Sequence, residues 1–323
     1  MNLNTEKIAF IFPGQGSQIV GMGYDLATQF NPCNEIFKQA DQILGFEISR
    51  ILWEGPPETL NETVNTQPAL LVHSIAALRL FENEFPDINP VFIAGHSLGE
   101  ITALVAVGSI SFENGLKLVR RRGELMQESG RISPGGMAAI LGMDIQSLEV
   151  VCADASERGE MVQIANDNCP GQIVISGHQS ALERAMEMAK ERGARKVRPL
   201  AVSIAAHSNL MINAQKGFSK AIESIEGFKD ADKPIISNVK AVPITSSGDL
   251  KHDILAQLTS RVRWTESIQY LRSHGVSTFI EIGSGNVLTG LLKRIDENCN
   301  GFSYGTINNI ESFRREMDVS TET

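Results

Sequence analysis

Pro90-Val91-Phe92-Ile93-Ala94-Gly95-His96-Ser97-Leu98-Gly99 is the stretch on which the fold turns. Its first half is an unbroken apolar run, which suits a strand buried on both faces. Its second half fits G-x-S-x-G, a sharp strand-to-helix turn that leaves a serine hydroxyl exposed. A helix is predicted from there through Leu104 and Val107. Glycines on either side of Ser97 let neighbouring backbone pass closely. The helix N-terminus offers N–H groups and partial positive charge to a developing oxyanion. The bare pattern also fits a glycine-rich helix start capped by serine; the apolar strand before it and the helix after it favour the nucleophile.

Outward from this turn, residues 8–12 form a second apolar run, stopped by Pro13-Gly14. Helical periodicity follows at 34–44, 67–84 and 112–128. Buried strands alternating with helices predict a parallel α/β core. The middle of the chain reads differently: a strand at 137–142, a helix at 145–158, and strands at 162–165 and 173–176 around a turn at 168–171. A helix at 180–192 and a strand at 196–202 follow. This βαββαβ order is that of a ferredoxin-like unit. The expected organisation is a catalytic domain from 1–129 and 200–310, a small inserted domain at 130–199, and a polar tail at 311–323. Strands resume at 235–236 and 278–282, the latter before Gly283-Ser284-Gly285.

The chain has 323 residues, 42% of them hydrophobic and 21% charged, so it can bury a sizeable core. A formal net charge of -9 argues against general nucleic-acid binding, which needs a basic footprint. No run approaches a membrane span, and the N-terminus shows no secretory h-region. Cys33, Cys152, Cys169 and Cys299 form no CxxC pair and are read as reduced thiols of a cytoplasmic protein. No metal-ligand cluster is evident.

Ser97 needs a base. Of six histidines, His73 lies on an apolar helical face and His96 adjoins the serine. His207 closes Val202-Ser203-Ile204-Ala205-Ala206 on a loop returning to the main domain, but position alone leaves the choice open. Phe12-Pro13-Gly14-Gln15-Gly16-Ser17-Gln18 ends the first strand, where parallel sheets bind ligands. It matches neither a dinucleotide fingerprint nor a P-loop and reads equally as a simple turn. Arg120-Arg121-Arg122 point in different directions on a helix. One of them facing a cleft would grip a carboxylate as a fork; all three on a solvated face is the alternative.

Taken together, FPGQGSQ, GHSLGE, VRRRGELMQ, GGMAAILGM, NDNCPGQIVISG, VSIAAHS and VLTGLLKRI, in this order, resemble the malonyl-CoA:acyl carrier protein transacylases and the acyltransferases of polyketide synthases. The resemblance runs from about residue 7 to 295. It implies an α/β-hydrolase-like core with the ferredoxin-like insertion, and a ping-pong transfer of malonyl from coenzyme A to the phosphopantetheine thiol of holo acyl carrier protein. Ser97 corresponds to the nucleophile and His207 to the base, oriented by a backbone carbonyl, here that of Gln257. The N–H groups of Gln15 and Leu98 correspond to the oxyanion hole. Arg122 corresponds to the clamp on the malonyl carboxylate, with His96, Gln257 and Asn168 completing the substrate-binding set. No cofactor and no metal are implied, coenzyme A being part of the substrate, and a monomer is expected.

Three departures stand out. The small Ala205-Ala206 are expected to widen the acyl pocket, Ser284 replaces a usual proline and is expected to loosen its turn, and Arg261 replaces another. Lys190, Arg195, Lys196 and Arg198, with Lys117 and Arg120, are candidates for docking an acidic carrier. A thioesterase-like hydrolase, a non-catalytic docking module and a trans-acting polyketide acyltransferase with broader extender choice are the competing readings. Arg122 argues against the first, since neutral acyl chains need no carboxylate fork, and the Ser97–His207 pair argues against the second.

Overall fold

In the computed structural model, which describes residues 7–157 and 159–321, Ile8–Phe12 forms strand β1, buried along its whole length. Phe92–Gly95 (β2) pairs parallel with it on one side. The chain then supplies Gly135–Leu141 (β3), Val162–Cys169 (β4), Gln172–His178 (β5), Lys196–Pro199 (β6), Ile235–Ile236 (β7), Pro243–Ile244 (β8), Val262–Arg263 (β9), Thr278–Ile282 (β10) and Asn300–Tyr304 (β11). One sheet has the order β11-β10-β1-β2-β7-β8, parallel except for β8, which returns antiparallel beside β7. The other has the order β6-β3-β5-β4-β9. The α/β class expected from the alternating pattern is thus observed, with both sheets mixed.

A long helix, Thr63–Glu84, lies against the first sheet and is buried nearly all round. It begins four residues before the predicted 67 and carries Pro68 inside. Proline offers no N–H to the carbonyl four residues earlier. Here that carbonyl, on Val64, accepts from Arg120 Nη1 at 3.0 Å instead.

In the second sheet, side chains alternate between faces. Ala138, Ile140, Ile164 and Ile175 pack beneath the helices Ile145–Ala155 and Gln179–Glu191. Met137, Ala139 and Val174 face the opposite way and line a cavity, and a register shift in β4 between Ile164 and Asn166 brings Asn166 to the same side. The predicted turn at 168–171 is tighter than read. β4 continues to Cys169, and only Pro170 and Gly171, the latter at φ 72°, make the reversal, so Asn168 stands on a strand. The last strand of this segment ends at Pro199 rather than 202, and the chain runs on toward the cavity as an irregular segment. β9, from beyond 199, pairs parallel with β4 and stitches the second sheet to later chain.

The stretch expected as a polar tail from 311 lies in a helix, Ile307–Thr321. Ile310 and Phe313 are buried, and Phe313 packs against Phe81, Phe85 and Tyr304. Residues 322–323 lie outside the described chain. All four cysteines are buried free thiols. No helix among the described residues is long and apolar enough to cross a membrane.

Candidate active site

Between β2 and the helix Leu98–Ala106, Ser97 sits at φ 52° and ψ -105°. Outside glycine, that conformation persists only where the surroundings enforce it. They do so here by contact. A Cβ on Gly95 would lie 2.0 Å from the Gly99 backbone, and one on Gly99 would lie 2.1 Å from the Phe12 carbonyl oxygen. Asn238, just past β7, clasps the turn from the side: Ser97 N–H donates to its Oδ1 at 2.8 Å, and its Nδ2 donates to the Gly95 carbonyl at 2.7 Å.

His207 arrives from the irregular segment after β6, itself at φ 59°. Its Nε2 accepts from Ser97 Oγ at 2.8 Å, and its Nδ1 donates to the Gln257 backbone carbonyl at 2.8 Å. This order of hydroxyl, imidazole and orienting acceptor is what an activated serine requires. Burial, and after it the charge of Arg122, hold the imidazole down to about 3, so it is neutral and free to accept a proton.

Arg122 comes from the helix Phe112–Ile132. Its two neighbours face elsewhere: Arg121 is exposed beside Glu124, and Arg120 lies over the Phe46 ring and also pairs with Glu124. Arg122 is 1% exposed, the one buried lysine or arginine among the described residues. Its Nη1 donates to Gln67 Oε1 at 3.0 Å; its Nη2 donates to Gln257 Oε1 at 2.8 Å and to Ser97 Oγ at 3.3 Å. It makes no ion pair among the described residues, and its Nε has no partner. Burial lowers it to about 10, still well above neutral pH, so it stays a cation.

These groups open onto a cavity of about 300 Å³ between the two sheets. Gln15 and Leu98 line it beside Ser97. Leu98 begins its helix, where N–H groups have no intrahelical acceptor. His96 and Asn168 also line the wall, and His96 Nε2 donates to Asn168 Oδ1 at 2.9 Å. The structure therefore gathers Ser97, His207, Arg122, Gln15, Leu98, His96, Asn168 and Gln257 into one place. Sequence reasoning did not reach Gln67, Asn238, Glu100 or Asp253. For Asn238 a signal existed, a polar residue just past a short strand of the parallel core.

The departures are also placed. Ala206 lines the cavity while Ala205 is fully buried against Gly135, so only one of the two shapes the pocket. Ser284 does not loosen its turn: its hydroxyl donates to the Ser17 carbonyl at 2.7 Å and ties the turn to the Gln15 loop, a bond proline cannot make. Arg261 bridges Glu149 at 3.1 Å and Glu266 at 3.2 Å, joining a helix of the second sheet to one beyond β9.

Residues 9–307 match the family model described as acyl transferase domain. The malonyl CoA-acyl carrier protein transacylase of Bacillus subtilis is 49% identical over 290 residues, covering 90% of each chain. An acyl carrier protein S-malonyltransferase structure from Vibrio cholerae superposes with a TM-score of 0.91 at 41% identity, covering 95% of this chain and 100% of that one. A malonyl-transacylase solved in complex with a type II PKS acyl-carrier protein gives 0.92 at 39% identity, covering 95% and 98%. With its strained serine, its imidazole and its buried guanidinium in one cavity, the chain belongs to the acyl transferase domain family.

Proposed function

We propose that this chain moves a malonyl group from coenzyme A to the phosphopantetheine thiol of an acyl carrier protein, supplying fatty-acid or polyketide chain extension. Ser97 Oγ attacks the thioester carbonyl as His207 Nε2 takes its proton. The carbonyl oxygen, now an oxyanion, accepts from the N–H groups of Gln15 and Leu98. Collapse breaks the C–S bond, and the departing sulfur takes the proton from His207, leaving a malonyl ester on Ser97. The carrier's thiol then attacks that ester and passes its proton to His207; the ester C–O bond breaks, His207 returns the proton to Ser97 Oγ, and the malonyl group leaves as a thioester on the carrier. The Gln257 carbonyl holds the imidazole in the correct tautomer throughout.

Arg122 carries this reading. A buried cation beside the nucleophile, met only by amide and hydroxyl oxygens, is matched by an acyl group with a free carboxylate at its far end. Acetyl would leave it unpaired. His96 and Asn168, bonded to each other on the wall, bound the space for the acyl group and the pantetheine arm. We take the larger sheet as an α/β-hydrolase-like core, residues 130–199 as a ferredoxin-like insertion, and the working unit as a cytoplasmic monomer, since one chain supplies every group.

The carrier's route in is read from charge. Lys117 and Lys190 are engaged by Glu113 and Glu187, and Arg120 by Glu124. Arg195, Lys196 and Arg198 are exposed, make no ion pair among the described residues, and lie on or beside edge strand β6, which leads to the cavity. They are the better docking candidates.

The test is Arg122→Ala, assayed by acylation of Ser97 from malonyl-CoA and from acetyl-CoA. Losing a buried charge-assisted fork removes about 2–4 kcal/mol of malonyl preference, or roughly 30- to 1,000-fold. Equal losses for the two donors contradict the carboxylate reading.

A further inference from the structure

Beneath the serine turn lies a polar cluster that the steps above leave unused. Glu100, on the helix Leu98–Ala106, is 1% exposed, and Asp253, on the helix Ser247–Ala256, is 4% exposed. Both carboxyl groups accept the same backbone N–H, that of Asn238, each at 3.1 Å. Two carboxyl groups so placed away from water do not both ionise readily. Burial first, and then the charge of Asp253, push Glu100 well above the usual carboxylate range, which favours its neutral form.

Glu100 Oε2 accepts from Gln257 Nε2 at 2.5 Å. The same nitrogen faces the Ser97 carbonyl at 2.9 Å and Asn238 Oδ1 at 3.4 Å. With three oxygens around its nitrogen, the Gln257 amide has one satisfactory orientation, and that orientation aims Oε1 at Arg122 Nη2, 2.8 Å away. Turned over, it would set an oxygen against three oxygens and an NH2 against a guanidinium.

We propose that Glu100 is a positioning residue for substrate choice: by holding the Gln257 amide it fixes where the Arg122 guanidinium sits and what remains free on it to meet the acyl carboxylate. This rests on reading Arg122 as that carboxylate's partner. A neutral Glu100 serves the same end. An ionised carboxylate this near would neutralise part of the Arg122 charge and compete with the substrate for it. The neighbours that orient the guanidinium, Gln67 and Gln257, are dipoles without net charge.

The experiment compares single-turnover acylation of Ser97 from malonyl-CoA and from acetyl-CoA, per folded enzyme, in four variants. Arg122→Ala tests the underlying reading on its own; if it leaves the malonyl-to-acetyl ratio unchanged, both that reading and this proposal fall. With that ratio lost in Arg122→Ala, Glu100→Ala lowers it by about tenfold or more, as expected for losing one strong acceptor. Glu100→Gln, neutral at every pH and carrying the same acceptor oxygen, keeps the ratio within about threefold of the natural chain. Gln257→Met breaks the relay from its other end, leaves the backbone carbonyl on His207, and lowers the ratio as Glu100→Ala does; it stands in should Glu100→Ala not fold. Equal loss with both donors in Glu100→Ala or Gln257→Met overturns the proposal, as does a Glu100→Gln variant that loses the ratio as far as Glu100→Ala.

Discussion

Ser97 is held at φ 52°, a conformation that costs a non-glycine residue about 1–3 kcal/mol. That cost is offset by the clasp of Asn238 and returns a half-buried hydroxyl 2.8 Å from an imidazole. Ser97→Ala should abolish covalent labelling by malonyl-CoA; label on any other residue would refute the assignment. With His207 held down to about 3 against an ordinary 6.5, Ser97 acylation should stay level as pH falls through 6.5, whereas a fall in rate centred near 6.5 would contradict the burial argument. The linkage has a definite sign. Between 6.5 and about 3 the unfolded chain binds a proton that the folded site refuses, so His207 makes folding less favourable as pH drops through that window. The local glycine pattern made Ser97 legible in the sequence. Among three adjacent arginines, burial of one alone was not legible from spacing; the family resemblance pointed to Arg122. Glu100, Asn238 and Asp253 were hidden because their hydrogen bonds join residues 15 to 143 positions apart.

At the scale of elements, strand β1, the turn and its helix meet so closely that side chains are excluded. Gly99→Ala places a Cβ 2.1 Å from the Phe12 carbonyl oxygen. Overpacking of that kind should cost about 2–4 kcal/mol in urea unfolding, and an unchanged midpoint would show that the strand yields more easily than the contact implies. Arg120 carries another element-scale role, capping the carbonyl that Pro68 leaves free in a buried helix. The core strands β1 and β2 were readable because burial on both faces makes them continuous apolar runs. Strands β7, β8 and β9 have two residues each, too few to show any period. The helix at Ile307–Thr321 was read as a tail because its inward face rests on few apolar residues, chiefly Ile310 and Phe313, within a polar stretch.

At the scale of the whole molecule, the site exists only where distant segments converge: the turn at 97, the helix carrying 122, the loop at 207 and the residue at 257. The second sheet supplies the facing wall through Met137, Ala139 and Val174. In the proposed function an acidic carrier meets an acidic protein, and the exposed Arg195, Lys196 and Arg198 on and beside β6 are the proposed landing site. Raising salt should therefore weaken carrier binding steeply, and salt-insensitive binding would remove β6 from the account. In the proposed reaction one serine holds the acyl group between two thiols. The direct measurement is to load the enzyme with radiolabelled malonyl-CoA, remove free nucleotide, and add holo carrier protein. Label is expected to leave Ser97 and appear on the carrier's phosphopantetheine; label released as free malonate at the same rate with or without the carrier would overturn the proposed transfer.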